Sequence, residues 1–415
     1  MRLLFSLLLL ASCACAEAAD HYQLARVVLR GTKRYSEADL LRATGLKLNS
    51  QVSAADLQNA AEKLNSTGVF STVQYLFKPA IGAVGVEADF DLTDAAQFLP
   101  AKFDNLLWFS SEELQAGLHN ALPLYNGDLP LSGGLPDEVS AALSSMLAAR
   151  KLPSEVSYML EGERNMPPRE YLFKVDHAGL KVTSFNFSGA ARMDSAVLAQ
   201  AVTPLKDTDF LYSIVDSWVK SKITGLYQQN GYLRASVDVS PHLGESGAVT
   251  VNVAIQEGTQ YHIAGFSWTG NTLLSSDELS KHLSLKDGEP ANSMKLEADL
   301  ARVRRLFGKF GREAARIRSV PAFSGDNVHY TLEVTEGELY HMGKLEVLAP
   351  DQYKQKVVDL WKLREGAAYD NTYLLQIIEQ MKKLMPGGGR WEWKAREQID
   401  DAAKVVNVTL EVSTK

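Results

Sequence analysis

Ile263-Ala264-Gly265-Phe266-Ser267-Trp268-Thr269-Gly270 sets an apolar residue, two variable ones, then two more apolar residues at alternate positions before a glycine. Alternation of this kind suits a strand with one buried face, and Gly270-Asn271 ends it with residues that tolerate a left-handed backbone. Next, Ser275 or Ser276 can cap a helix carrying Leu279 and Leu283. Asp287-Gly288-Glu289-Pro290 breaks the chain. From about Ser293 the stripe Leu296, Leu300, Val303 and Phe307, spaced by three and four, predicts a second helix that Gly311 stops. A weaker strand is expected over about 314–320, and Val328, Tyr330, Leu332 and Val334 alternate strictly in a third. The predicted unit is β-α-α-β-β, two helices on one face of a three-stranded mixed sheet.

The opening pattern returns four times: Leu24-x-x-Val27-x-Leu29-x-Gly31, Phe103-x-x-Leu106-x-Trp108-x-Ser110, Val182-x-x-Phe185-x-Phe187-x-Gly189 and Met342-x-x-Leu345-x-Val347-x-Ala349. The copies lie about 80 residues apart, too long for a solenoid unit and right for a small domain. Five tandem α+β modules follow, at 21–97, 98–178, 179–259, 260–338 and 339–415. The second is divergent, with Ser110 in place of the opening glycine and no helix-ending glycine near Arg150-Lys151. Elsewhere Gly68, Gly231 and Gly311 occupy equivalent corners between the second helix and second strand, where a left-handed C-cap favours glycine. The third strands of modules three and four end in Glu257-Gly258 and Glu336-Gly337, and Tyr261-His262 and Tyr340-His341 open the next first strands.

Residues 1–16 read as an export signal, with Arg2, the apolar run Leu3 to Leu10 and the small-x-small site Ala14-Cys15-Ala16. The run is too short to span a bilayer. Leu10-Ala11-Ser12-Cys13 also resembles a lipobox, which makes Cys13 an alternative lipidation site. Both cysteines lie in this segment, so disulfides and cysteine metal sites are excluded from the folded part. A net charge of −7 provides no basic field for nucleic acid. The eight histidines show no HExxH and no metal-ligand pairing; Gly387-Gly388-Gly389-Arg390 lacks the strand and Lys-Ser of a phosphate loop. No catalytic, cofactor, metal or small-molecule site is expected, and no enzymatic activity.

The β-α-α-β-β order, the Thr67-Gly68-x-Phe70-x-x-Val73 corner, the Glu-Gly ends and the opening pattern together resemble POTRA domains, the polypeptide-transport-associated modules of BamA-type outer-membrane assembly factors. The BamA-like family usually continues into a transmembrane β-barrel, whereas this chain stops at Lys415, where the fifth module's third strand ends. The resemblance implies an exported array, periplasmic and associated with the outer membrane through partners or a lipid anchor. Its implied partners are unfolded outer-membrane proteins, a separate barrel assembly subunit or periplasmic chaperones, docked by strand addition to an open sheet edge. With the family's strand order, the second strand is that edge. The candidate residues are Val73, Tyr75 and Phe77, then Ala235, Val237 and Val239, and finally Trp391 and Trp393. A structural tether that only spaces other components is the alternative.

Overall fold

A computed structural model describes residues 21–384 and 391–414. The expected export segment, Cys13 and the Gly387-Gly388-Gly389-Arg390 run lie outside the described residues. Contacts divide the chain into two compact units, Met1–Ser184 with Lys206–Val215 and Pro241–Thr250, and Phe185–Leu205 with Asp216–Ser240 and Val251–Lys415. The division runs through the third module.

Module one comprises β1 (Tyr22–Arg30), α1 (Glu37–Thr44), β2 (Gln51–Val52), α2 (Ala54–Ser66), β3 (Phe70–Pro79) and β4 (Val86–Asp94). Module two repeats the order with β5 (Phe98–Phe103), α3 (Ser111–Ala121), β6 (Asp128–Pro130), α4 (Leu135–Ala149), β7 (Val156–Glu161) and β8 (Glu170–Val175). Their sheets have four strands, in the orders β2-β1-β4-β3 and β6-β5-β8-β7, rather than the expected three. The extra strand is the link between the helices, which runs back along the first strand and pairs with it antiparallel. In the later modules that pairing shrinks to single bridges, Lys181↔Asp209, His262↔Pro290 and His341↔Ala368.

The first two modules share one apolar core. Leu24, Leu57, Leu64 and Phe90 belong to the same buried cluster as Leu118, Val139, Leu143 and Phe173. At their junction Gly134 and Leu135 donate backbone hydrogen bonds to Ser66 and Thr67 carbonyls (2.8 and 3.2 Å). Arg34 pairs with Asp128 at 2.6 Å and lies 3.8 Å over the Phe98 ring.

Module three contributes β9 (Lys181–Ser188), α5 (Ser195–Val202), α6 (Tyr212–Gln229), β10 (Ser236–Leu243) and β11 (Ala248–Gln256), in the sheet order β10-β11-β9. Module four holds β12 (His262–Thr269), α7 (Ser276–Ser280), α8 (Ser293–Gly308), β13 (Arg316–Ser324) and β14 (Asn327–Thr335); module five holds β15 (His341–Leu348), α9 (Asp351–Leu360), α10 (Tyr373–Leu384), β16 (Trp391–Asp400) and β17 (Val405–Thr414). Their sheet orders are β12-β14-β13 and β15-β17-β16. The expected stripe on α8 is buried throughout, at Leu296, Leu300, Val303 and Phe307, and packs on the inward residues of β14, Val328, Tyr330, Leu332 and Val334. Ser275, not Ser276, caps α7, in a capping box with Glu278.

One copy of the opening pattern is displaced. In module two β5 ends at Phe103, so Leu106 and Trp108 fall in the following turn and Ser110 is the N-cap of α3. The missing helix-ending glycine is replaced by Lys151, which takes φ +58° after α4. Its neighbour Leu152 donates back to the Leu147 carbonyl at 3.1 Å, so the helix is still closed by a left-handed residue, at a cost glycine would avoid.

Candidate docking edges

The edges are set by how each sheet closes. The first strand runs parallel to the third and the second antiparallel to it, shown by β12 and β13 against β14. A parallel partner needs a crossover, which the two helices supply, and this leaves the second strand outermost. In all five sheets that strand, β3, β7, β10, β13 or β16, is terminal.

The opening glycine and the Glu-Gly end fix this geometry together. Gly31, Gly189 and Gly270 have φ between +76° and +92°, and a Cβ on any of them would lie 2.0–2.3 Å from a third-strand carbonyl oxygen. Beyond Gly270, the Glu336 carboxylate accepts from Thr272 Oγ1 at 2.8 Å and from the Leu273 amide at 2.7 Å. Burial opposes its ionisation, but these hydrogen bonds and those from the Thr272 amide outweigh it and hold the carboxyl below the usual glutamate range. Glu257 does related work in module three, accepting from the Arg192 amide at 2.8 Å and Tyr227 Oη at 2.9 Å. The paired Tyr-His openings are equivalent too. Tyr261 and Tyr340 each donate at 2.8 Å to the corner carbonyls of Gly231 and Gly311, while the His262 and His341 amides donate at 2.9 Å to the preceding turn of the third strand.

The sequence-derived edge residues meet different surroundings. Val73, Tyr75 and Phe77 lie on β3 opposite Leu92, Phe90 and Ala88. Val73 packs on the shared core, whereas Tyr75 and Phe77 are each 38% exposed and Leu76 between them 61%. Tyr75 meets the Phe90 ring at 6.0 Å and Phe77 the Tyr22 ring at 6.4 Å. On the third module, Val237 and Val239 lie on β10 with buried side chains, and Ala235 falls one residue before the strand. Only their backbone is positioned for an edge role. On β16, Trp391 opens the strand and Trp393 packs on the fifth core, with its indole nitrogen buried and without a partner among the described residues.

Sequence reasoning passed over β7, where Met159 and Leu160 are 54% and 47% exposed at the edge of module two. The misplaced opening pattern of that module hid its register. The alternation of Tyr171, Phe173 and Val175 was the available signal for the strand beside it. Among the described residues no group of three or more His, Cys, Asp and Glu side chains is placed to hold a metal ion, and no helix is long and apolar enough to cross a membrane.

The module with the clearest pattern is also the one a family model matches: POTRA, described as surface antigen variable number repeat, over residues 261–337. The chain is a tandem array of POTRA-like modules. It is 24% identical over 170 residues to the outer membrane protein assembly factor BamA of Neisseria meningitidis, a match covering 39% of this chain and 21% of that relative. Among solved structures it is similar to BamA POTRA domains 3–5 of Haemophilus influenzae, at 20% identity over 56% of this chain and 96% of that one, with a TM-score of 0.43. The N-terminal domain of Omp85 from Thermosynechococcus elongatus matches at 14% identity over 76% of this chain and 97% of that one, with a TM-score of 0.19. Among the described residues the sheets are open and have three or four strands.

Proposed function

We propose that this chain is a non-enzymatic periplasmic binding array that guides or docks outer-membrane proteins by edge-strand addition, beside a separate barrel assembly subunit. The observation that carries the reading is the terminal position of the second strand in every sheet. A terminal strand offers backbone N–H and C=O groups to an extended client with little regard to its sequence. The POTRA match and the BamA relative, named as an outer membrane protein assembly factor, direct the choice of client. Unfolded outer-membrane proteins fit physically, because each is a succession of extended segments seeking partners for every backbone group.

Amide hydrogen exchange tests the proposal. Adding a urea-unfolded porin to the folded array, at final urea too low to unfold it, is expected to slow exchange along at least one second strand. Slowing confined to helices, or none on any second strand, would leave the tether as the better account.

A further inference from the structure

The five terminal strands carry unequal chemistry. β3 has one charged residue, Lys78, engaged by Glu87 at 3.4 Å and Asp89 at 3.6 Å, and its one proline, Pro79, is its last residue, so Phe70 to Phe77 are free of both. β7 has one, its last residue Glu161. Both strands instead expose apolar side chains, Tyr75, Leu76 and Phe77 on the first and Met159 and Leu160 on the second.

The other three strands are blunted. β10 contains Asp238 and Pro241, and β13 contains Arg316, Pro321 and Arg318, the last paired with Glu333 at 2.8 Å, so proline is what sets both apart from β7 and from the body of β3. Pro321 stays in register opposite Tyr330. A proline inside an edge strand keeps the ladder intact only with its nitrogen turned outward, so an incoming strand meets ring carbons where it needs a donor. β16 lacks proline but carries Glu392, Lys394, Arg396, Glu397 and Asp400. Covering charged side chains with a second strand removes water from them, a cost natural edges use to prevent pairing.

Resting on the edge-docking reading above, we infer that clients dock on modules one and two, at β3 and β7, and that the docked segment is uncharged and extended, with bulky apolar side chains at alternate positions. Charge matching decides the occupant. An edge with a single charged residue gives a client's lysine or aspartate almost no partner, and burying that charge alone costs more than a backbone hydrogen bond returns. The apolar side chains follow from Tyr75 and Phe77, two residues apart on one face and exposed, which match a period of two in the visitor.

The test places a benzoylphenylalanine photocrosslinker in the full-length array at Leu76, Leu160 or, in β13, Ala322. The probe is a synthetic ten-residue peptide alternating Phe, Tyr or Val with Ser, Thr or Gln, beside a version whose polar positions are Lys and Glu. Labelling by the uncharged peptide at 76 and 160 is expected to exceed that at 322 by about tenfold, a difference of about 1.4 kcal/mol in edge affinity. Gln74→Arg with Leu76→Arg, read by a crosslinker at Thr72, should abolish labelling of module one while that at 160 persists. Equal labelling at 322, or equal labelling by the charged peptide, overturns the inference and leaves edge docking standing. No labelling at any of the three positions, with circular dichroism unchanged, overturns both.

Discussion

Gly270 and Glu336 show how a repeated residue is tied to a physical demand. Gly270 has φ +76°, and a Cβ there would lie 2.3 Å from the Val334 carbonyl oxygen; Gly288 has φ +81° with nothing within 4 Å. Gly288→Ala should therefore cost only the left-handed penalty, about 1 kcal/mol, and Gly270→Ala at least about 3 kcal/mol because backbone must also move. Thermal unfolding of the two variants measures the difference, and equal losses would remove the steric account of the motif. Glu336 adds a pH signature. Its folded pKa is lowered by the Leu273 and Thr272 hydrogen bonds despite opposing burial. Its stabilisation is therefore complete above the unfolded value of about 4.3 and is lost as pH falls through the folded value. Glu336→Gln should cost about 1 kcal/mol at pH 7, allowing for solvent screening, and the gap from the parent should close as pH falls below the usual glutamate range. A constant gap would mean the charge has no part in the clasp. Both residues were visible as a repeat in the sequence. The hydrogen bonds that Thr272 and Leu273, just past Gly270, donate to Glu336 were not, because the two segments stand at opposite ends of a module and meet only once the parallel strands pair.

At the scale of the element, legibility followed periodicity. The stripe of α8 and the alternation of β14 were readable because each buries one face against the other. The opening pattern misled in module two, since three apolar residues at those spacings also fit a strand end followed by a turn and a capped helix. The short β2 and β6 were invisible, because two or three residues carry no period. Edge chemistry, by contrast, is written in the strand once the strand's place is known. Replacing Arg318 by Thr and Pro321 by Val on β13 should open the edge of module four. A benzoylphenylalanine at Ala322 should then be labelled by the uncharged peptide about as strongly as one at Leu76 of the parent protein, since an unguarded edge is a template for an extended strand. A variant labelled no more than the parent at 322 would show that something other than these two residues closes that edge.

On the scale of the molecule, modules one and two are joined by one core. Across the boundary read between 97 and 98, Arg34 lies over Phe98 and pairs with Asp128, and Gly68 and Gly133 approach so closely that a Cβ on Gly133 would lie 2.4 Å from the Gly68 Cα. No pattern along the chain records such a contact, because it depends on two turns about 65 residues apart arriving at one place. Sharing a core should couple the stability of the two proposed docking edges. Leu118→Ala in α3 removes a fully buried side chain and should cost about 2–5 kcal/mol. If the cluster unfolds as one cooperative unit, hydrogen exchange of β4 amides in module one should accelerate along with that of β8 in module two, while β14 in module four keeps its protection. Acceleration confined to β8 would mean that module one holds together on its own side chains. In that case the two edges would respond to mutation separately, despite the contacts that join them.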